Sequence, residues 1–328
     1  MNNPLITICV PIYGTEAFIE KCFLSIYNQT YKNIEMVFVD DCTKDNAISV
    51  LESVVAKHEA SERVKIIRHT NNKGLAGSRI TGIQHATGDY LFFLDSDDTI
   101  LENAIQKLVE RAVASDADIV EGNFLYVTSD GTEKVVKKRI FEDKNEYIHN
   151  LVSMSGIPVS VCAKLYNRRL FDIYGTFFQE GIDDGEDYVT TPRIVDKAQT
   201  IEFIDDIVYI YYISNMTSYS HSLSWVKVEH MREAFNLLTN YFSNHSEKRF
   251  LNSITLGEAF FIRNNYLKLP KKSGKRLKEV FPETAHRIEG ESLGYYIQRQ
   301  LIFHDCKFLL SLANRLMNIL RWQILKSL

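Results

Sequence analysis

No run of about 18 uncharged apolar residues occurs in the chain, so no membrane-spanning helix is expected. Residues 1–10 lack a basic stretch followed by an apolar one and lead straight into a strand pattern, so no secretory signal is expected either. Cysteine is scarce and scattered: Cys9, Cys22, Cys42, Cys162 and Cys306 make an odd set without Cys-x-x-Cys spacing. This excludes a disulfide framework and a cysteine-rich zinc site, and it fits reduced thiols in a cytoplasmic protein. The formal net charge of -4 gives no global pull toward nucleic acid. Internal repeats and low-complexity tracts are also missing. What remains is 328 residues with 45% hydrophobic content, enough for a sizeable core in one large domain or a domain with an extension.

The first hundred residues alternate strand and helix. Ile6 to Val10 is a short β-branched run closed by Pro11 and Gly14, read as a buried strand. From Glu16 to Gln29, Phe18, Ile19, Cys22, Phe23 and Ile26 recur at helical spacing. Ile34 to Val39, Val64 to Ile67 and Tyr90 to Leu94 are further strands, separated by helices over Asn46–Lys57 and Gly74–Ala86. Continuous apolar strands joined by helical crossovers predict a parallel sheet covered on both faces. Ligands of such sheets bind beyond the carboxyl ends of the strands. Pro11, Asp40-Asp41 and Asp95 to Asp98 all fall at those ends. Beyond residue 100 the pattern loosens: a helix over Leu101–Ala114, a strand over Ile119–Val127, and a polar, turn-rich stretch at 128–145. Residues 158–172 then hold a short apolar run, and Ile201–Ile213 is a tyrosine-rich strand.

Several carboxylates on one sharp turn repel one another unless a cation compensates them. Asp95-Ser96-Asp97-Asp98 is such a turn, and hard cations such as magnesium or manganese favour its oxygens. The alternative is a polar turn whose acids cap a helix. Asp40 and Asp41 are placed to accept hydrogen bonds from a base or from ribose hydroxyls, while Asp45 is read as a helix cap. Tyr13 offers an aromatic face for a base, or else a core aromatic.

Val10-Pro11-Ile12-Tyr13, Val39-Asp40-Asp41 with Thr43 and Asp45, Gly74 to Arg79, and Asp95-Ser96-Asp97-Asp98 resemble the successive motifs of family 2 glycosyltransferases. The resemblance is specific over residues 5–100, looser to about 220, and silent beyond. It implies an α/β fold of the GT-A type, Rossmann-like, with a mostly parallel sheet and helices on both faces. It implies that Pro11, Tyr13 and Asp41 hold a nucleotide base, usually uracil. Asp97 is then the direct ligand of Mn2+ or Mg2+, with Asp95 shared between metal and ribose, and Ser96 and Arg79 lie at the nucleotide. An ion pair between Arg79 and an aspartate is the competing role. Two departures stand out: Gly14 replaces the family's usual Asn, and Cys42-Thr43-Lys44 replaces Gly-Ser-Thr. Neither removes a carboxylate, so altered loop detail is expected.

In the family an acidic pair beyond the metal motif supplies the general base. Here the match is Gly185-Glu186-Asp187, with Asp187 first and Glu186 second, and Asp183 and Asp184 are near rivals. An inverting transfer needs such a carboxylate to take the proton from the acceptor hydroxyl. In the family a polar segment, here Asn215 to Ser218 with His221, closes the diphosphate site. A lone histidine is equally a structural residue.

Residues 1–222 are expected to form the catalytic domain, and 223–328 a helical extension. The extension is basic between Arg263 and Lys278. It either packs around Tyr295, Tyr296, Phe303, Phe308 and Trp322 with its basic residues solvated, or lies on an anionic membrane surface or contacts another subunit. The expected activity is inverting transfer from a UDP-sugar to a saccharide or lipid-linked acceptor in bacterial surface polysaccharide synthesis, at the cytoplasmic face of the membrane. Two rivals remain. One is a nucleotidyltransferase, disfavoured because residues 11–16 contain no Lys or Arg for a triphosphate. The other is a non-catalytic carbohydrate- or nucleotide-binding relative.

Overall fold

The computed structural model describes residues 3–213, 223–244 and 249–314. The sites expected at Asn215 to Ser218, His221 and Trp322 lie outside them. The chain divides into two compact units, one comprising Met1–Lys144 and Val159–Ser218, the other Asn145–Pro158 and Tyr219–Leu328.

The first unit is built on a nine-stranded mixed sheet. Its strands are β1 (Ile6–Ile12), β2 (Ile34–Asp40), β3 (Val64–Arg68), β4 (Tyr90–Phe93), β5 (Thr99–Ile100), β6 (Ile119–Val127), β7 (Glu133–Val136), β8 (Lys164–Asn167) and β9 (Ile201–Tyr212). They run in the order β3-β2-β1-β4-β8-β6-β9-β5, with β7 beside β6. β3, β2, β1 and β4 are mutually parallel, as the alternating pattern predicts, and β6 and β9 form a second, longer parallel pair. β8 joins the two halves by pairing antiparallel to both β4 and β6. The sequence reading missed β8 and β7, which are four residues each and lie in stretches read as loop or as an undivided apolar run.

The unbroken burial of β1 explains its continuous β-branched sequence, since a central parallel strand has no solvent face. Helices α1 (Ile19–Tyr27), α2 (Ala47–Lys57), α3 (Gly74–His85) and α4 (Ala104–Ser115) connect the strands. α1 buries Ile19, Cys22, Phe23 and Ile26 at the expected spacing. The unit also contains α6 (Arg169–Tyr174) and α7 (Glu186–Lys197).

Pro11 sits inside β1, where a missing N–H would ordinarily cost a ladder hydrogen bond. The Cys9 carbonyl accepts from Leu94 N–H on the β4 side, and Pro11, two residues on, faces the same way. The β4 pairing ends at Cys9 opposite Phe93, so Pro11 has no neighbour there to bond. The β1–β4 pairing therefore stops at that point, at the carboxyl ends of the two strands, where ligands of such sheets bind.

At the opposite end of the strands the buried Glu35 carboxylate ties β2 to the turn before β4. It accepts from Thr7 Oγ1, from Thr87 N at 2.6 Å and Thr87 Oγ1 at 2.8 Å, and from Lys65 Nζ at 2.9 Å. Burial pushes its pKa up, but these bonds outweigh that and hold it at about 2.

The second unit is helical: α5 (Lys144–Val152), α8 (Trp225–Asn244), α9 (Arg249–Asn265), α10 (Gly274–Val280) and α11 (Leu293–Phe303), with a further helix at 307–314. Phe235, Phe261 and Phe281 form its aromatic centre, with ring centroids 5.9–6.3 Å apart. Of its basic residues, Lys268, Lys271, Lys272, Lys275 and Lys278 are exposed, whereas Arg299 is not. That side chain is wholly buried, bonded to Glu291 and to the Thr284 and His286 carbonyls. Phe303 is core as expected, whereas Phe308 is 82% exposed. No described helix is long and apolar enough to cross a membrane.

Glu35→Gln is expected to cost about 2 kcal/mol at pH 7 by removing a charged acceptor from buried donors. Because the folded-state pKa is depressed, this stabilisation is present above the unfolded value of 4.5 and fades as pH falls toward about 2. Urea midpoints at pH 7 and pH 3 check it: the difference between wild type and variant should shrink at the lower pH.

Candidate active site

Three separate pieces of chain meet at the Arg79 side chain, which is 1% exposed and carried on α3. Its Nη2 donates to Asp95 Oδ1 at 2.9 Å, just beyond β4. Its Nη1 donates to Glu186 Oε1 and Asp187 Oδ1, both at 3.1 Å, in the first turn of α7. Burial disfavours the charged guanidinium, but Asp187, Asp95 and Glu186 outweigh it and hold the arginine fully charged. The ion pair expected as one of the roles of Arg79 is present.

Three carboxylates against one guanidinium leave surplus negative charge in a buried place. The consequence appears at α7. Burial and the neighbouring Asp187 push the Glu186 pKa up, and burial together with Asp95 raises that of Asp187, against the pull of Arg79. Gly185, at φ 94, supplies the left-handed turn that starts α7 here. The helix N-terminus favours the two acids that follow.

Of the rival acids, Asp183 is engaged at α3. Asp183 Oδ1 accepts from Ala76 N at 3.4 Å, at the start of α3. Gly74, at φ 77, is required there, because a Cβ would collide with the Asp183 carboxylate. Asp187 and Glu186 therefore share Arg79 while Asp183 serves α3.

The turn after β4 closes on itself through Asp98 N–H donating to Asp95 O at 3.0 Å. Asp95 and Asp97 are half-buried and Ser96 is buried. Asp98, grouped with the others in the sequence, faces inward at 1% exposure. It accepts from Tyr209 Oη at 2.8 Å and Tyr212 N at 2.9 Å, and burial raises its pKa. Asp98 is thus a structural acid of the turn. Cys22 and Cys162 are the thiols beside Asp95. Burial raises both of their pKa values, so they are neutral donors.

Asp41, at the end of β2, is 3% exposed. Its Oδ1 takes His69 Nδ1 at 2.7 Å and Lys73 N at 2.7 Å, and its Oδ2 takes Gly74 N at 2.9 Å. A carboxylate offers about four lone-pair positions, so roughly one remains for a ligand. His69, which the sequence reading did not single out, also contacts Thr81 Oγ1 at 2.8 Å.

Tyr13 is 53% exposed and so is not the core aromatic. Its loop is held by Gly14 N donating to Thr43 Oγ1 and Glu16 N to Asp45 Oδ2, each at 2.8 Å, with Asn46 N returning to Glu16 Oε2 at 3.0 Å. Asp45 also accepts from Ala47 N, consistent with its expected capping role. Gly14 and Thr43, both at positions that depart from the family pattern, thus meet in one hydrogen bond.

A mostly parallel sheet covered by helices, with acids beyond the ends of β2 and β4, is a fold of the GT-A class. The chain belongs to glycosyltransferase family 2, whose model matches residues 7–175. It is 32% identical over 217 residues to the uncharacterized glycosyltransferase EpsJ of Bacillus subtilis, covering 63% of this chain and 61% of that one. It is also 32% identical over 219 residues to glycosyltransferase GlyG of Streptococcus pneumoniae, covering 64% and 71%. The match thus spans about three-fifths of EpsJ's length. Among solved structures, Staphylococcus aureus TarS 1–349 in complex with UDP-GlcNAc aligns at TM-score 0.68 and 18% identity, over 90% of this chain and 81% of that one. A Pyrobaculum calidifontis mannosyltransferase in complex with GDP-Man and Mn2+ aligns at TM-score 0.52 and 14% identity, over 93% and 87%. These structural likenesses establish the shared fold.

Arg79→Met strips the compensating charge from three carboxylates and should cost about 3 kcal/mol. Without the guanidinium the folded-state pKa values of Glu186 and Asp187 rise further, so the penalty is largest at high pH and relaxes as they protonate. Urea unfolding at pH 8 and pH 5.5 should give the larger deficit at pH 8.

Proposed function

We propose that this protein is an inverting, metal-dependent glycosyltransferase that moves a hexosyl group from a UDP-sugar to a saccharide or lipid-linked acceptor. Its setting would be bacterial surface polysaccharide synthesis at the cytoplasmic face of the membrane. The observation that carries this reading is the bridge made by Arg79 between Asp95, at the expected metal motif, and Asp187, the expected base. Several relatives point the same way. TarS is solved with UDP and with UDP-GlcNAc. The Escherichia coli relative WfgD, 29% identical over 158 residues, is named a UDP-Glc:alpha-D-GlcNAc-diphosphoundecaprenol beta-1,3-glucosyltransferase.

Among the described residues no three His, Cys, Asp or Glu side chains form a complete metal site. Asp97, with Asp95 beside it, fits a cation of the magnesium or manganese kind as a partial oxygen set, because such ions commonly take one or two carboxylates and fill the remainder with substrate phosphates. When bound, the cation would offset the charge that develops on the departing diphosphate. Asp187 would accept the proton of the acceptor hydroxyl as its oxygen bonds to the anomeric carbon and the bond to UDP breaks. Arg79 fixes the direction of that carboxylate. Tyr13 and the remaining acceptor position of Asp41 would receive the base.

Nucleotide release from a panel of sugar nucleotides, with Mn2+, Mg2+ or chelator and with candidate acceptors, tests this. We expect metal-dependent UDP release from one donor, reduced about 10³-fold by Asp187→Asn with UDP affinity kept. The rate should fall on the acid side through a pKa above the ordinary carboxylate range, because the base must be unprotonated and its pKa is raised. UDP binding with no turnover, or condensation of a sugar phosphate with a nucleoside triphosphate, would replace this reading with a binder or a nucleotidyltransferase.

A further inference from the structure

We propose that Tyr209 is a positioning residue for the metal-binding turn, its hydroxyl holding both ends of the turn in a cation-ready shape; this rests on the metal site proposed above. The hydroxyl accepts from Asp95 N–H at 3.1 Å and donates to Asp98 Oδ2 at 2.8 Å. One atom thus fixes the first residue of the turn by its backbone and the last by its side chain. The other Asp98 oxygen, Oδ1, takes Tyr212 N at 2.9 Å, so both oxygens of a buried carboxylate are committed to β9. The turn's own bond between Asp98 N and Asp95 O completes a closed ring of contacts around Ser96 and Asp97.

Tyr209 is suited to be the fixed partner. It is 1% exposed, and its ring meets those of Phe124 and Phe92 at centroid distances of 5.2 and 6.5 Å. β9 is anchored in turn, since Tyr212 Oη accepts from Lys21 Nζ at 2.7 Å and lies 3.3 Å from Thr99 Oγ1. A carboxylate pair held by packed residues meets a cation without first being ordered, whereas a loose turn must be ordered on binding. Neither Tyr209 nor Asp98 needs to touch the ion. Outer partners of this kind typically contribute about 10–100-fold in metal affinity.

Tyr209→Phe removes one oxygen and leaves the ring packing intact. Free Mn2+ is to be followed by electron paramagnetic resonance during titration of the full-length protein with saturating UDP, and UDP affinity is to be measured at saturating Mn2+. The expected result is an Mn2+ dissociation constant weakened about 10–100-fold, a broadened spectrum of the bound ion, and a UDP affinity at saturating Mn2+ within about threefold of wild type. General loosening of the fold would weaken both affinities together. Should Tyr209→Phe melt below the assay temperature, Asp98→Asn is measured the same way and should again weaken Mn2+ selectively. Unchanged Mn2+ affinity in a folded variant overturns the positioning role while the metal site stands. Failure of the wild type to bind Mn2+ with UDP overturns the site and this inference with it.

Discussion

Everything at the crevice is arranged around one buried positive charge. Arg79 cannot be buried without carboxylates to pair with it, and three answer, from two distant places in the chain. The pairing decides geometry more than stability, since a buried ion network gains little over an apolar one of equal volume. It fixes the distance between the turn after β4 and the first turn of α7. The charge is also left unbalanced: three carboxylates face one guanidinium, and Glu186 and Asp187 respond with raised pKa values. A buried network of this composition is poorly explained as packing and well explained as a site.

Around this centre the edges of the crevice are set by acids that cap backbone amides. Asp41 holds the entry to α3, Asp183 holds its first turn, and Glu16 and Asp45 hold each other's loops. Each uses a short side chain to satisfy N–H groups that a loop or helix start would leave bare. Most of the acids noticed in the sequence are thus structural in their bonds and still border the ligand space. The two functions are compatible because capping bonds use some lone pairs of each carboxylate and leave others.

The sequence made the parallel half of the sheet legible because buried parallel strands are continuous apolar runs that end sharply in polar residues. Residues 6–12, 34–40 and 90–93 satisfy this almost to the residue. β7 and β8 were not legible because four-residue strands with a lysine at or near one end carry no period to detect. At the site, the types and order of Asp41, Arg79, Asp95, Asp97 and Asp187 could be read. The division of labour could not. Asp98 turned inward because β9 lies beside it, and nothing local to residues 95–98 reports that. The tyrosines of β9 were visible as a tyrosine-rich strand, but their bonds span more than 110 residues. In the helical unit, the burial of Arg299 was not legible because its partners, Glu291 and two carbonyls, are assembled only by the turn before α11.

The central claim is that the acidic crevice beyond β1, β2 and β4 is a metal–diphosphate site. Calorimetric titration with UDP and with UMP, each with Mn2+ and with chelator, tests it directly. The account predicts that UDP binds with Mn2+, that chelator removes most of the affinity, and that UMP, which lacks the second phosphate to complete the metal's oxygen set, binds far more weakly. Equal binding of UDP and UMP, indifferent to chelator, or binding of neither, would contradict it.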